Sequence, residues 1–328
     1  LAVCDVDEAR AKETAAKHGV KAYTDFAEML AKEKPDTASI CTGNTTHAPL
    51  TIMAAEAGVK GVYCEKPMAH CMADARAMVE TCRKRKVALV VNHQRRVGPD
   101  LTAARRLITD GALGELLYVR GNCAGDILSD GTHLVDSLQW LTGDQEVEWV
   151  LGQVHRDFSA HIARATKDGK PAQAVGTRYG HVVEAGGMGV YHLKSGLRIE
   201  LFCGDITVPR RNYQDYEVVG TKGRLWRLGD RLSPNLYISD AAGGPLEVMP
   251  GEGGWFWQPL PAPSGKGMWR AVEPLENLPK GALVKGYDLF VEMIRNGTPH
   301  PMSGEIALRG FEVIMAIYES ARTNTKII

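Results

Sequence analysis

The chain has 328 residues, enough for two domains of ordinary size. Its 39 basic and 39 acidic residues cancel, which argues against nucleic acid or an anionic membrane as the main partner, since both need a strong positive field. Seven cysteines with no CxxC spacing fit neither a zinc ribbon nor a disulfide framework. Reduced thiols in a cytoplasmic compartment and no metal centre are therefore expected.

The first ~95 residues alternate strand-like and helix-like segments, the pattern of a parallel sheet. Leu1–Asp5 reads as a strand and Asp7–His18 as a helix closed by Gly19. Asp25 caps a second helix to about Lys32, and Pro35-Asp36 turns the chain into a strand at Thr37–Thr42. A helix at Ala48–Ala57 ends at Gly58. A strand at Val59–Cys64, a helix at His70–Lys84 and a strand at Val87–Asn92 follow. The basic run Arg83–Lys86 falls where that helix ends, so its cations face the negative end of the helix dipole. The strand runs are short and apolar throughout, as expected when helices cover both faces.

After Arg96 the texture changes. Leu101–Asp110 reads as helix and GELLYVRGN as strand. SDGTHLVDSLQWLTG reads as a helix capped by Ser129 or Asp130 and stopped by Gly143, with Leu134, Leu138 and Leu141 as its core-facing stripe. Hairpin signals follow around Ser195-Gly196 and through YEVVGTKGRLWRLGD. Residues 240–280 are rich in Gly, Pro and Trp and read as a long irregular excursion. Helices at Leu283–Arg295 and from the Ser303 cap to about Ala321 close the chain. The expected architecture is a Rossmann-type α/β domain over 1–96. An α+β domain with a large, mostly antiparallel sheet follows over 97–328, its C-terminal helix packing back. The chain opens on an apolar strand with no initiator Met. A preceding segment is therefore expected, and with it any targeting signal.

In an open parallel sheet, ligands bind beyond the carboxyl ends of the strands. Those ends carry Asp5, then TGNTTH (Thr42 to His47), then Glu65-Lys66-Pro67, then NHQRR (Asn92 to Arg96). All four are polar, which favours a polar ligand. Asp5 suits the diol of an adenine ribose and would repel a 2′-phosphate; a turn-forming Asp is the other reading. The glycine fingerprint that precedes such an acid would lie before Leu1.

These residues carry a resemblance. ICTGNTTHAPLTIMAAEAGVKGVYCEKPMA, then VVNHQRR, GTHLVDSLQWL and SGEIALRGFEVIMAIYESART, together resemble the Gfo/Idh/MocA family of NAD(P)-dependent sugar and inositol oxidoreductases. The resemblance implies that Thr42, Asn44 and His47 line the nicotinamide side of the cofactor site, with Asp5, Asn92 and Gln94 also on the cofactor. Glu65 would contact the nicotinamide ribose, Lys66 would reach both cofactor and substrate hydroxyl, and the Lys66–Pro67 bond would be cis. His133 matches the catalytic histidine, and Asp136, one turn on, a substrate-side acid; Arg96 is a separate candidate for substrate contact. Many members carry an Asp four residues before that histidine. Ser129 stands there in this chain, so Asp130 is expected to take over the role. Without the glycine loop the pyrophosphate has no helix N-terminus to rest on, and dinucleotide binding by the stretch from Leu1 onward is expected to be weak.

The implied reaction is hydride transfer from a polyol or sugar hydroxyl to NAD, with NADP possible. His133 takes the proton, and Lys66 stabilises the developing alkoxide. One alternative is a glycosidase or lyase that oxidises a sugar transiently. Another is a non-catalytic dinucleotide-binding regulator. A homodimer or homotetramer is expected, and Trp255-Phe256-Trp257 reads as a subunit interface, a substrate rim or core packing. Arg95, Asp126, Arg210 and Arg211 are further candidates for substrate contact.

Overall fold

A computed structural model describes residues 1–155, 177–178, 181–182, 184–204, 214–229, 235–240, 270–272 and 281–328. Trp255, Phe256, Trp257, Arg210 and Arg211 lie outside the described residues. The chain divides into two compact units. One comprises chiefly Leu1–His93 and Gly286–Phe311, the other Gln94–Arg178, Val182–Lys285 and Glu312–Ile328.

The first unit alternates strand and helix: β1 (Ala2–Cys4), α1 (Glu8–His18), β2 (Lys21–Tyr23), α2 (Phe26–Glu33), β3 (Thr37–Ile40), α3 (His47–Glu56), β4 (Gly61–Cys64), α4 (Met72–Arg85) and β5 (Ala88–Val91). Local chemistry sets the boundaries. Asp7 caps α1 by accepting from the amides of Ala9 and Arg10, and Gly19 closes it in the left-handed region at φ 66°. Asp25 caps α2 through the amide of Glu28. Arg83, Lys84 and Arg85 occupy the last turn of α4, where cations meet the helix dipole. β1 pairs β2 in one parallel ladder; β3, β4 and β5 form another. Strand β2 has no apolar signature: it reads KAY and leaves Lys21 and Ala22 exposed.

The second unit is built on one broad sheet. After α5 (Pro99–Thr109) come β6 (Leu116–Cys123), α6 (Gly131–Thr142), β7 (Val147–His155) and the short pair β8 (Thr177–Arg178) and β9 (His181–Val182). Then follow β10 (Gly186–Leu193), β11 (Arg198–Gly204), β12 (Gln214–Gly220), β13 (Gly223–Leu228), β14 (Leu236–Asp240) and β15 (Arg270–Ala271). The eight-stranded order is β15-β14-β13-β12-β6-β11-β10-β7. Only β6–β11 is parallel; the other described pairs in this sheet are antiparallel. Two helices close the chain, α7 (Gly281–Asn296) and α8 (Gly304–Thr323).

Packing explains two departures from the sequence pattern. Helix α6 has no polar face: every residue but Trp140 is buried, so the expected Leu134–Leu138–Leu141 stripe is only part of its buried surface. Gly121 lets α6 approach the sheet, because a Cβ there would come within 2.5 Å of Leu134 Cδ1. On the same sheet face, Ile317 of α8 lies over Gly152 and Gly189, where added Cβ atoms would come within 2.6 Å of it. In the first unit, Tyr63 and Val90 pack with Phe290 of α7 and Met302 in a buried apolar cluster. Tyr287 stacks on Tyr63 at 4.0 Å.

Candidate active site

In the first unit the parallel register aligns Ile40, Cys64 and Val91 at the ends of β3, β4 and β5. The residues that follow, Thr42 to His47, Glu65-Lys66 and Asn92, therefore share one rim. Lys66–Pro67 is cis. The carboxylate of Glu65 accepts from Asn92 Nδ2 at 2.6 Å and from the Lys66 amide at 3.3 Å. Tyr63, buried in β4, donates its hydroxyl to Asn92 Oδ1 at 2.9 Å and so orients that amide. The chain of bonds from Tyr63 through Asn92 and Glu65 to the Lys66 backbone sets the turn that presents Lys66. Desolvation raises the Tyr63 pKa, which keeps the phenol a donor.

His47 opens α3 and is 1% exposed. Its Nδ1 lies 2.7 Å from the Pro67 carbonyl oxygen and its Nε2 3.1 Å from that of Thr42. Both partners are carbonyl oxygens, so a neutral ring donates to one of them at a time. The imidazole thus links the 42–47 loop to the Lys66–Pro67 turn, and both its ring nitrogens face backbone. Asn44 is buried and Thr42 exposed. Asp5 forms an Asx turn, accepting from the Asp7 amide at 2.9 Å, with Arg10 3.5 Å from its other oxygen; its carboxylate stays part-exposed.

In the second unit, Asp130 and His133 lie at the start of α6. Asp130 occupies the N-cap position but makes no capping bond with its side chain. Its carboxylate lies instead over Gly125, where a Cβ would come within 2.0 Å of Oδ2. Gly125 at φ 89° gives the loop that approach. His133 is 5% exposed. Arg96 is buried and fully engaged. Its Nε donates to both oxygens of Asp136 at 2.8–2.9 Å, while Nη1 and Nη2 donate to Asp144 at 2.9 and 2.8 Å. Burial opposes the guanidinium charge, but the two carboxylates more than offset it, and the Arg96 pKa stands above its ordinary value. Gln94 Oε1 is buried with no hydrogen-bond partner among the described residues. An orphaned acceptor at a strand end fits a ligand that brings a donor.

Two supports of the start of α6 are not visible in the sequence. Glu184 is 4% exposed and accepts from the Ile127 amide at 2.5 Å and from Tyr318 Oη at 2.7 Å, which anchors the loop leading into α6. Burial, aided by nearby Asp126, raises its pKa. Gln214 Nε2 donates to the Asp130 carbonyl at 3.1 Å, and Tyr216 donates to Gln214 Oε1 at 2.5 Å. Asp126 accepts from the Ser129 amide at 2.6 Å, so it shapes the same loop.

The chain matches the model of the oxidoreductase family with an NAD-binding Rossmann fold over residues 1–93, and that of the family's C-terminal alpha/beta domain over residues 105–328. It is 34% identical to a D-apiose dehydrogenase of Paraburkholderia graminis, across 44% of this chain and 43% of that protein. It is 29% identical to a myo-inositol 2-dehydrogenase of Thermotoga maritima, across 72% and 74%. The chain thus spans about half the length of the first curated relatives it matches. The fold superposes on the WlbA dehydrogenase of Bordetella pertussis, solved with NADH and UDP-GlcNAcA, with a TM-score of 0.70 at 21% identity, across 99% of this chain and 88% of that one. No helix among the described residues is long and apolar enough to cross a membrane. With both halves of the chain matched by its models, the protein belongs to the Gfo/Idh/MocA family of oxidoreductases.

Proposed function

We propose that this protein is an NAD(P)-dependent dehydrogenase acting on a secondary hydroxyl of a sugar, inositol or related polyol. The single observation that carries this reading is the built turn at the end of β4, where Tyr63, Asn92, Glu65 and His47 together hold Lys66. A loop of ordinary surface polarity does not need four buried or part-buried partners.

In this reading Asp5, Thr42, Asn44, Asn92 and Gln94 hold the dinucleotide, and the orphaned Gln94 acceptor and the polar strand ends fit it. The bound nicotinamide accepts hydride from the carbon that carries the hydroxyl. The residues of the chain handle the proton and the charge. His133 takes the hydroxyl proton, a task suited to a side chain whose ordinary pKa is near neutrality. Lys66 donates to the same oxygen and stabilises its developing negative charge, which counts for more in a dry cleft than in water. Asp130 orients His133. Glu65 fixes the Lys66 turn as well as facing the ribose, and His47 is a positioning residue for both loops. Arg96 and Asp136 satisfy one another, so their part is to hold α6 in place, not to touch substrate. Asp5 favours NAD by its exposed carboxylate.

The seven free thiols support a reducing, cytoplasmic compartment. Leu151 and Met188, exposed on the outer face of the broad sheet, support self-association into a homodimer or homotetramer. The domain boundary near residue 96 is taken as the point where the cofactor half gives way to the substrate half.

The test is a panel of aldoses, inositols and glycosides with NAD and with NADP, followed by reduced cofactor. Net formation of reduced cofactor from a free sugar or polyol is expected. Release of aglycone without net redox change identifies the transient-oxidation glycosidase instead. Cofactor binding with no turnover across the panel identifies a regulator.

A further inference from the structure

We propose that His70, Cys71 and Asp74, at the start of α4, form a binding site for a divalent transition-metal ion of the zinc class. An imidazole nitrogen, the thiol sulfur and a carboxylate oxygen all lie within 4.8 Å of one another. Within that set His70 Nδ1 and Asp74 Oδ2 are 3.6 Å apart. That is too long for a hydrogen bond. It is close to the edge of a coordination tetrahedron, roughly 3.4 Å for bonds near 2.1 Å. The thiol sulfur lies no more than 4.8 Å from either of the other two ligand atoms, within reach of side-chain rotation.

The backbone beneath these donors is fixed. Met68 and Ala69, which precede them, are 1% and 0% exposed. Cys71 is the N-cap residue of α4 in an extended conformation, and its carbonyl accepts from Ala75 N at 3.1 Å. Capping does not account for the residue type: Ser, Thr, Asp or Asn is the usual choice, and the Cys71 side chain makes no capping bond. Asp74 lies in the first turn, so its oxygen projects back toward the cap.

The donor set determines the class of ion. One nitrogen, one sulfur and one oxygen suit zinc and its neighbours, whereas calcium and magnesium take oxygen. The His70 and Asp74 side chains are 38% and 41% exposed, so an ion reaches them from solvent, and three protein ligands leave a fourth position for water. The spacing is His-Cys-x-x-Asp, which is why a search for CxxC pairs passes over it. None of the three residues has a part in the proposed hydride transfer.

The experiment is calorimetric titration of zinc chloride into the intact, metal-free protein, with Cys71→Ser, His70→Ala and Asp74→Asn variants beside it. One ion per chain is expected, bound at least tenfold more weakly by each variant. Cobalt in place of zinc is expected to give a thiolate-to-metal absorption band that Cys71→Ser lacks. Metal-free variants that unfold at the wild-type temperature show that the fold is intact, since these side chains are part-exposed. Two results overturn the proposal. One is wild-type affinity no tighter than that of the variants. The other is a cobalt band that survives Cys71→Ser and vanishes in Cys41→Ser, the exposed thiol elsewhere in the same unit.

Discussion

His47 shows how much of the site rests on a single buried side chain. Its two contacts join loops that a reading of the chain treats separately, Thr42 with Asn44 and Lys66 with Pro67. His47→Ala should therefore cost about 2–3 kcal/mol of stability, as expected when a buried carbonyl oxygen loses its donor. It should also lower kcat. His47→Asn, whose amide can replace Nδ1, should recover part of both, and kcat and the unfolding midpoint measured on the two variants decide it. Arg96 is a second case. Replacing it by Met takes the Arg96 guanidinium from buried Asp136 and part-buried Asp144. The expected cost is about 3–5 kcal/mol, read from urea unfolding, whereas a plain substrate contact would change KM and leave stability alone. Lys66, Glu65 and Pro67 were legible in the sequence because they are contiguous and follow an apolar strand. Glu184, Gln214 and Tyr318 were not, because their partners lie far along the chain and nothing local marks a buried acid or amide.

Among the elements, α6 is the one that carries His133. Periodicity marks it as a helix and its caps place its ends. Burial on every side is a tertiary fact, and a sequence pattern of one apolar stripe cannot report it. The fit is tight at Gly121, so Gly121→Ala should destabilise by about 1–3 kcal/mol. Leu134→Ala in the same chain should relieve part of that loss, a coupling that a double-mutant cycle measures. The link between α7 and α8 gives a pH-dependent prediction. His300 is 3% exposed; its Nε2 donates to the Gly286 carbonyl at 3.1 Å and its Nδ1 accepts from the Met302 amide at 3.0 Å. Burial lowers its pKa below the ordinary 6.5, with the Gly286 carbonyl opposing. The unfolded chain therefore takes up the proton first. The stability that neutral His300 contributes is complete above pH 6.5 and is lost as pH falls toward the lowered value. Thermal unfolding followed from pH 7.5 down to about 5.5 should show a falling midpoint, and His300→Gln should flatten part of that slope.

At the scale of the whole molecule, each unit presents its own part of the proposed chemistry. The parallel strand ends of one present Lys66, and the first turn of α6 in the other presents His133. Fold class was legible because short apolar runs alternating with capped helices admit few arrangements, and the change of texture after Arg96 marked the second unit. Strands β2 and β7 were missed: β2 is half exposed and without β-branched residues, and β7 is held by β10 and by a bridge to Ile327, partners far along the chain. In the proposed reaction, Lys66 and His133 do the chemistry while their neighbours hold them. Steady-state turnover of the intact protein on its best polyol substrate, with Lys66→Ala and His133→Ala beside the wild type, tests that claim most directly. Each variant should lose at least ~100-fold in kcat, the scale of a removed acid–base or oxyanion-stabilising group, while keeping the wild-type fold. Near-normal turnover in both variants would contradict it.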